Sequence, residues 1–291
     1  MTQKVSVLYH ANCLDGMMSA AIVYKYLTEE LKLPKDDLRF LPVKYQENPP
    51  ILRPDSKVYI VDFSYPREVI LDLQSRHEVI IYDHHKTAQE QLLGIKGALF
   101  DMDESGATLT WKQLFPNKPV PYTVQMIRDR DLWLWELPES KSFTEAVYNL
   151  LDMTVESWQR LLTTNSTNPY DFGVVISNLI SQGDAIVAAS NNQVKRQLEN
   201  VYWAKLPLHD DLIPMINSGH LISETCQAMY TKFPEAPYVA MWTMKGDLVY
   251  VSLRSSSTGA DVSQVAKVYG GGGHSKSSGF TTQVGQWFKP S

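Results

Sequence analysis

The sequence predicts an α/β protein in two domains, and three observations carry that reading. Apolar runs of strand length alternate with segments of helical periodicity through the amino-terminal half. Three of those runs stop at residues able to ligate a metal: Val5-Ser6-Val7-Leu8-Tyr9 at His10, Val58-Tyr59-Ile60-Val61 at Asp62, and Val79-Ile80-Ile81-Tyr82 at Asp83-His84-His85. A chain of 291 residues with 44% hydrophobic content can fill two modest cores, the more usual arrangement at this length.

Taken in order, the first run leads through Ala11-Asn12-Cys13-Leu14-Asp15-Gly16 into Met17 to Leu31. There Met18, Ala21, Ile22, Lys25, Tyr26 and Glu29 alternate faces as in an amphipathic helix, with Met17 and Met18 read as core residues. A helix opening directly behind that loop points its amino-terminal N–H groups at the strand ends, which favours a bound anion. Leu33-Pro34 ends the helix, Leu38 to Val43 reads as the next strand, and Asn48-Pro49-Pro50 through Asp55 as a loop. After Asp62, Pro66 suits a first helical position, and Val69, Ile70, Leu71 and Leu73 form a helix returning the chain to the run that ends at Asp83. Repeated strand–helix–strand units imply right-handed crossovers and a parallel sheet covered on both faces.

Beyond the loop at Lys86, Ser105-Gly106-Ala107-Thr108 reads as a helix cap opening a mostly helical stretch to about residue 163. Within it, Ile127-Arg128-Asp129-Arg130-Asp131-Leu132-Trp133-Leu134-Trp135 reads as an amphipathic helix with solvated ion pairs and two core tryptophans, or as a source of further carboxylates for a metal centre. The polar, turn-rich Thr163 to Pro169 marks a boundary, and Asp171 to about Tyr202 a long connecting helix. The expected organisation is a parallel-sheet catalytic domain over 1–165, a linker and connecting helix over 166–204, and a smaller α/β domain over 205–291, with a cleft between the domains. In the last, Leu212 to Ile216, Tyr238 to Met244 and Leu248 to Leu253 read as strands, and Glu224 to Phe233 and Val262 to Tyr269 as helices.

In open α/β sheets, ligands collect beyond the carboxyl ends of the strands. With the three runs side by side, His10, Asp15, Asp62, Asp83, His84 and His85 converge on one edge. Several carboxylates in one cleft repel each other unless a cation neutralises them. Carboxylates and imidazoles without a Cys-x-x-Cys pair suit Mn²⁺ or Mg²⁺ better than a structural zinc. Distally, Gly270-Gly271-Gly272-Gly273-His274-Ser275-Lys276 lets the backbone approach a ligand closely while the side chains supply donors to an anion. Arg254, in Leu253-Arg254-Ser255-Ser256, adds a guanidinium suited to phosphate.

With these residues assembled, the chain resembles the DHH phosphoesterase family with its DHH-associated carboxy-terminal domain, in the manner of oligoribonucleases and nanoRNases. The resemblance rests on the ordered set His10 to Gly16, Val61-Asp62, Asp83-His84-His85, Asp129-Arg130-Asp131, Arg254-Ser255 and Gly271-Gly272-Gly273-His274. It implies hydrolysis of phosphodiesters or phosphomonoesters with about two Mn²⁺ per chain, Mg²⁺ or Co²⁺ serving as substitutes. It also implies that short oligonucleotides or small phosphorylated nucleotides are clamped between the domains. On that pattern Asp62 bridges both ions, His84 binds one, and Asp129, ahead of Asp131, completes that site. Asp83 and His85 are the catalytic pair, Asp83 orienting its neighbours and His85 facing the phosphate. Arg254, Ser255, Gly271, Gly272, Gly273 and His274 bind the substrate.

The first motif departs from the family form, in which a histidine precedes two closely spaced aspartates. Here Asn12, Cys13 and Asp15 follow His10, and Asp15 matches the second of the pair, so one carboxylate is missing. The first ion is left to His10 and Asp62, with Asn12 as a further donor, and is expected to bind weakly and fill with substrate. Cys13 reads either as a soft ligand or as a small buried thiol.

A formal net charge of −5 does not supply the basic surface that grips long nucleic acid, so long-duplex DNA is not an expected partner. A single-strand-specific exonuclease on longer nucleic acid, and a catalytically impaired nucleotide-binding or sensing protein, stand as alternatives. The two cysteines, Cys13 and Cys226, lack disulfide-framework spacing. No leader pattern opens the sequence, and no run approaches the roughly 18 apolar residues of a membrane span. The expectation is a cytoplasmic, membrane-free enzyme, with a homodimer left open.

Overall fold

Apolar runs of the amino-terminal half pair side by side in parallel: β1 (Val5–His10), β2 (Leu38–Val43), β3 (Lys57–Val61), β4 (Glu78–Asp83) and the short β5 (Ala98–Phe100), in the order β2-β1-β3-β4-β5. The computed structural model describes residues 3–45, 47–162 and 173–287, apart from the side chain of His274. The Thr163 to Pro169 stretch expected as a boundary lies outside the described residues. The chain divides into two compact units, Met1–Val187 and Ala188–Ser291.

Alternation along the strands splits the first unit's core between the two faces of the sheet. Val5, Val7, Tyr9, Tyr59 and Val61 pack on one face with the helices α1 (Leu14–Lys25), α4 (Gly106–Leu114), α5 (Tyr122–Asp131), α6 (Ser140–Leu150) and α7 (Val155–Leu162). Leu8, Val58, Ile60, Val79 and Ile81 pack on the other with α2 (Arg67–Gln74), whose Ile70 and Leu73 are buried. Helix α3 (Lys86–Gln91) begins directly after His85. Each fully buried Val, Leu or Ile contributes about 1.5–3 kcal/mol, so burial on both faces stabilises the sheet that positions the strand ends.

Helix α1 differs from the amphipathic reading. Every residue from Leu14 to Lys25 is buried, because β1, α4, α5 and α7 surround it. A helix covered all round carries no polar stripe, and Lys25, 8% exposed, is accommodated by an ion pair with Glu29 at 2.6 Å. The core assignment of Met17 and Met18 holds, both being fully buried.

The long helix α8 (Val174–Leu198) contains the division between the units. The second unit is a mixed six-stranded sheet, β10-β11-β9-β8-β7-β6, formed by β6 (Tyr202–Lys205), β7 (Leu212–Asn217), β8 (Val239–Lys245), β9 (Leu248–Arg254), β10 (Gly272–His274) and β11 (Ser277–Gln283). Among the described residues of this sheet only the β7–β8 pairing is parallel. Helix α9 (Ile222–Lys232) packs on β8 and β9, α10 (Val262–Val268) on β9, β10 and β11, and the single turn α11 (Val284–Trp287) closes the described chain. Among the described residues no helix is long and apolar enough to cross a membrane.

Candidate metal centre

The strand order changes direction between β1 and β3, and a crevice opens beyond the carboxyl ends of strands at such a point. His10, the last residue of β1, stands on one side of it. Asp62, the residue after β3, stands on the other. Tyr9 pairs with Val61 and Val61 with Tyr82, which carries Asp62 and Asp83 to the same edge one step further on. The Asp62 N–H still donates to the Tyr82 carbonyl at 2.9 Å, but its φ of 54° is left-handed, a conformation a non-glycine residue adopts where the surroundings impose it.

Two glycines let helices close on this edge. A Cβ at Gly16 would lie 2.4 Å from the His10 carbonyl oxygen, so only glycine lets α1 begin so near β1. A Cβ at Gly106 would lie 2.6 Å from the Asp62 Cβ and 2.8 Å from Asp15 Oδ2, so the start of α4 presses against two carboxylates. The Ala107 N–H donates to Asp15 Oδ1 at 3.1 Å, and Ser105 caps the helix by accepting from the Thr108 N–H.

One imidazole nitrogen meets three carboxylates. His84 Nε2 lies 3.1 Å from Asp62 Oδ1, 3.5 Å from Asp131 Oδ2 and 4.0 Å from Asp15 Oδ2. On the other side of Asp62, His10 Nδ1 is 3.6 Å from Oδ2. Ligand-type atoms of His10, Cys13 and Asp62 lie within 4.8 Å of one another, as do those of Asp15, His84 and Asp131, and those of Asp62, Asp83, His84 and His85. Asp15 Oδ2, Asp62 Oδ2 and Asp131 Oδ2 are all buried without a hydrogen-bond partner. Unpaired buried carboxylate oxygens are costly, and three of them beside two imidazoles form a donor set that fits divalent cations.

The titration of these groups reflects the crowding. Burial, then the charges of Asp62 and Asp131, pushes the Asp15 carboxyl well above the carboxylate range. Burial and Asp62 push Asp131 up to about 6. Burial would raise Asp62 too, but the imidazole of His10 close by and that of His84, hydrogen-bonded to it, hold it below its usual range. Burial would lower His84, yet the Asp62 hydrogen bond and the charges of Asp15 and Asp131 carry it up to about 10. Burial and the carboxylates of Asp62, Asp15 and Asp131 likewise raise the Cys13 thiol.

In the metal-free protein, then, a proton on His84 balances the carboxylates at neutral pH. A cation that takes His84 as a ligand must displace that proton. Its apparent affinity should rise by at least about tenfold per pH unit as pH increases toward 10, and more steeply below about 6, where Asp131 is protonated as well. Isothermal titration of Mn²⁺ into the protein between pH 5.5 and 8.5 measures this slope, and an affinity flat across the range would exclude His84 as a ligand.

Asp83 is fully buried and serves its neighbours. Oδ1 accepts from the His84 N–H at 2.7 Å and pairs with His85 Nδ1 at 2.6 Å, while Oδ2 accepts from Ser64 Oγ at 2.6 Å. With Nδ1 so engaged, the His85 ring is fixed and its Nε2 is left for other partners. Against burial, which lowers it, the Asp83 hydrogen bond raises the pKa of His85. Tyr45, 46% exposed, flanks the group with its ring 5.4 Å from that of His10 and 6.1 Å from that of His85.

The two aspartates of α5 part company. Residues two apart on a helix point about 200° from each other, so both cannot face one site. The structure brings Asp131 to His84 and not Asp129, the carboxylate preferred on sequence. Asp129 Oδ1 accepts from the Glu136 N–H at 2.8 Å, and Oδ2 from the Leu137 N–H at 3.3 Å and from Ser140 Oγ. It organises the turn into α6. That turn carries Trp133 and Trp135 at left-handed φ values of 58° and 56°, and the pair is not in the core, Trp133 being 36% exposed. Asn12 is exposed, with φ 57°, whereas Cys13 joins His10 and Asp62. Ser64 and Gly106 complete the site. Sequence marks the first only as lying near a helix start, and the second only as part of a helix cap.

In the second unit the predicted substrate residues gather at one end of the sheet. Arg254 pairs with Ser277, and Ser277 with His274, giving a single row across β9, β11 and β10. The His274 side chain is outside the described residues. Gly272 and Gly273 belong to β10 and pair with Gly279 and Ser278, so this part of the glycine run is ladder rather than loop. Gly271 packs closely under Gly279 and Phe280. The Ser255 hydroxyl donates to the Ala260 carbonyl at 2.7 Å, and Lys276 Nζ to the Gly259 carbonyl at 2.6 Å.

No family model matches the chain. Among curated proteins it is 27% identical over 295 residues to an uncharacterized protein, R106, of Acanthamoeba polyphaga mimivirus, covering 94% of this chain and 66% of that protein. It is 25% identical over 215 residues to the oligoribonuclease NrnB of Bacillus subtilis, covering 69% of this chain and 52% of that one. The chain thus spans between half and two thirds of the length of these relatives. Among solved structures, it matches the DHH domain of a member of the s1p family of ribosomal proteins with a TM-score of 0.60 at 12% identity, covering 95% of this chain and 82% of that one. A pGpG-specific phosphodiesterase, PggH, from a Vibrio species matches with a TM-score of 0.56 at 10% identity, covering 97% and 94%. RecJ from Thermus thermophilus, solved with Mn²⁺, matches with 0.52 at 13% identity, covering 98% of this chain and 50% of RecJ. In its fold, the chain is similar to these DHH-domain structures.

Proposed function

We propose that the chain is a divalent-metal-dependent phosphoesterase acting on phosphodiester or phosphomonoester bonds of short oligonucleotides or small phosphorylated nucleotides. The observation that carries this reading is the convergence of Asp15, Asp62 and Asp131, each with a buried and unpartnered oxygen, on the imidazole of His84. His10 and Asp62 would hold one ion, and Asp15, Asp62, His84 and Asp131 the other, with Mn²⁺ the expected metal. Bound as a pair, such ions supply water activation and charge neutralisation at a phosphoryl group.

The chain's own residues contribute binding, orientation and proton handling. Asp83 takes the Nδ1 side of His85 and fixes the direction of its ring, so that Nε2, when the ring carries its second proton, can donate to a phosphate oxygen or to the leaving oxygen. The Asp83 hydrogen bond, working against burial, raises the pKa of His85 and so favours that protonated form. Arg254 and the neighbouring β10 backbone would supply a phosphate-binding place on the second unit.

Short substrates are favoured over long ones by the net charge of −5, which opposes accumulation of many phosphates on the surface. The names of the relatives, an oligoribonuclease and a pGpG-specific phosphodiesterase, point the same way. The test is incubation with Mn²⁺ and a panel of di- to decanucleotides, 3′-phosphoadenosine 5′-phosphate, cyclic dinucleotides and pyrophosphate, with products identified by mass spectrometry. Hydrolysis falling off with oligonucleotide length is expected. Preference for the longest strands would favour an exonuclease on long nucleic acid, and no product from any member would contradict an enzyme.

A further inference from the structure

We propose that the Cys13 thiol is a direct ligand of the ion held by His10 and Asp62, making that site prefer a more thiophilic metal than carboxylates alone would. The inference rests on the metal-centre reading above and concerns which atom completes it. The ligand-type atoms of His10, Cys13 and Asp62 share one small volume, all within 4.8 Å of one another. Asp62 Oδ2, on a side chain 1% exposed, has no hydrogen-bond partner there, and His10 Nδ1 stands 3.6 Å from it.

The backbone explains why Cys13 and not Asn12 is offered. Asn12 takes the left-handed φ of 57° and is exposed. Cys13 follows in an extended conformation as the cap residue of α1, with φ −118° and ψ 134°, and makes no side-chain capping hydrogen bond. Its carbonyl accepts from the Met17 N–H at 3.0 Å, which anchors the residue at the start of the helix. The chain's other cysteine shows the contrasting environment: Cys226 is fully buried among Ile216, Met229, Val239 and Met241, as a core thiol is.

Coordination breaks the S–H bond as the sulfur–metal bond forms, and the proton passes to solvent with no change of oxidation state. Thiolate favours Co²⁺ and Zn²⁺ over Mn²⁺ and Mg²⁺ relative to an oxygen ligand in the same place. Losing a partner outside the coordination sphere already costs about 10–100-fold in metal affinity, so losing a direct ligand should cost at least about tenfold.

The experiment is Co²⁺ loading of the full chain, with cobalt content and the near-ultraviolet thiolate-to-cobalt charge-transfer band read together. Wild type and Cys226→Ala are expected to show the band. Cys13→Ser should lose it and bind Co²⁺ and Zn²⁺ at least about tenfold more weakly, while Cys13→Asp should shift preference toward Mn²⁺. Circular dichroism checks that each variant is folded. Cobalt bound by wild type without the band, or a band surviving in Cys13→Ser, overturns the role of Cys13 and leaves the metal centre standing. Failure of every form to bind cobalt, zinc or manganese overturns the metal centre and the inference together.

Discussion

Asp62→Ala is expected to lower kcat/KM by roughly 10³-fold or more under saturating Mn²⁺ while the chain stays folded. The size of the effect follows from position. Among the described residues Asp62 is the carboxylate in contact with both imidazoles, 3.1 Å from His84 Nε2 and 3.6 Å from His10 Nδ1, so its loss removes a donor from each group of ligands. Its surroundings are otherwise intact in the variant: the strands on either side keep their register, and His84 retains Asp15 and Asp131 as neighbours. Turnover and metal content should fall together, with the far-ultraviolet circular dichroism spectrum retained. A variant that loses turnover but keeps wild-type metal content would place the ions elsewhere.

The second large effect is a contrast between two aspartates of one helix. Asp131→Ala should abolish metal-dependent turnover with little change in the stability of the metal-free protein, because Asp131 Oδ2 makes no hydrogen bond in it. Asp129→Ala should do the reverse. It strands the Glu136 and Leu137 N–H groups, a penalty of about 1–3 kcal/mol, and leaves Ser140 Oγ with the Leu137 carbonyl alone, while keeping the ligands in place. Urea unfolding in chelator, read beside Mn²⁺ affinity, separates the two. If Asp129→Ala were the variant that lost metal at unchanged stability, the assignment within α5 would be reversed.

This pair also shows where the sequence stops being legible. The strands ending at His10, Asp62 and Asp83 can be read because each is a continuous apolar run broken by a ligand-type residue, and the fold puts such ends on one edge. Asp129 and Asp131 share one helix and one polar context, so composition cannot tell which faces the strands; the choice is made by the turn after α5, whose N–H groups consume Asp129. Cys13 poses the same difficulty, since a thiol beside a helix start reads equally as core or as ligand until the loop's backbone is known. Helix α1 reads as amphipathic because Lys25 and Glu29 suggest a solvated face, whereas their ion pair lies against a helix buried by four neighbours. The short β5 and β6 carry too few residues to register as periodic runs. The glycine run promises a loop, yet part of it is a strand, because Gly273 must lie close against Ser277 and Ser278.

The most direct measurement is the anomalous scattering of manganese in a crystal of the chain grown with Mn²⁺. Peaks are expected in two places, one bounded by His10, Cys13 and Asp62 and the other by Asp15, Asp62, His84 and Asp131. Manganese absent from both places, with His84 still paired to the three carboxylates, would contradict that expectation.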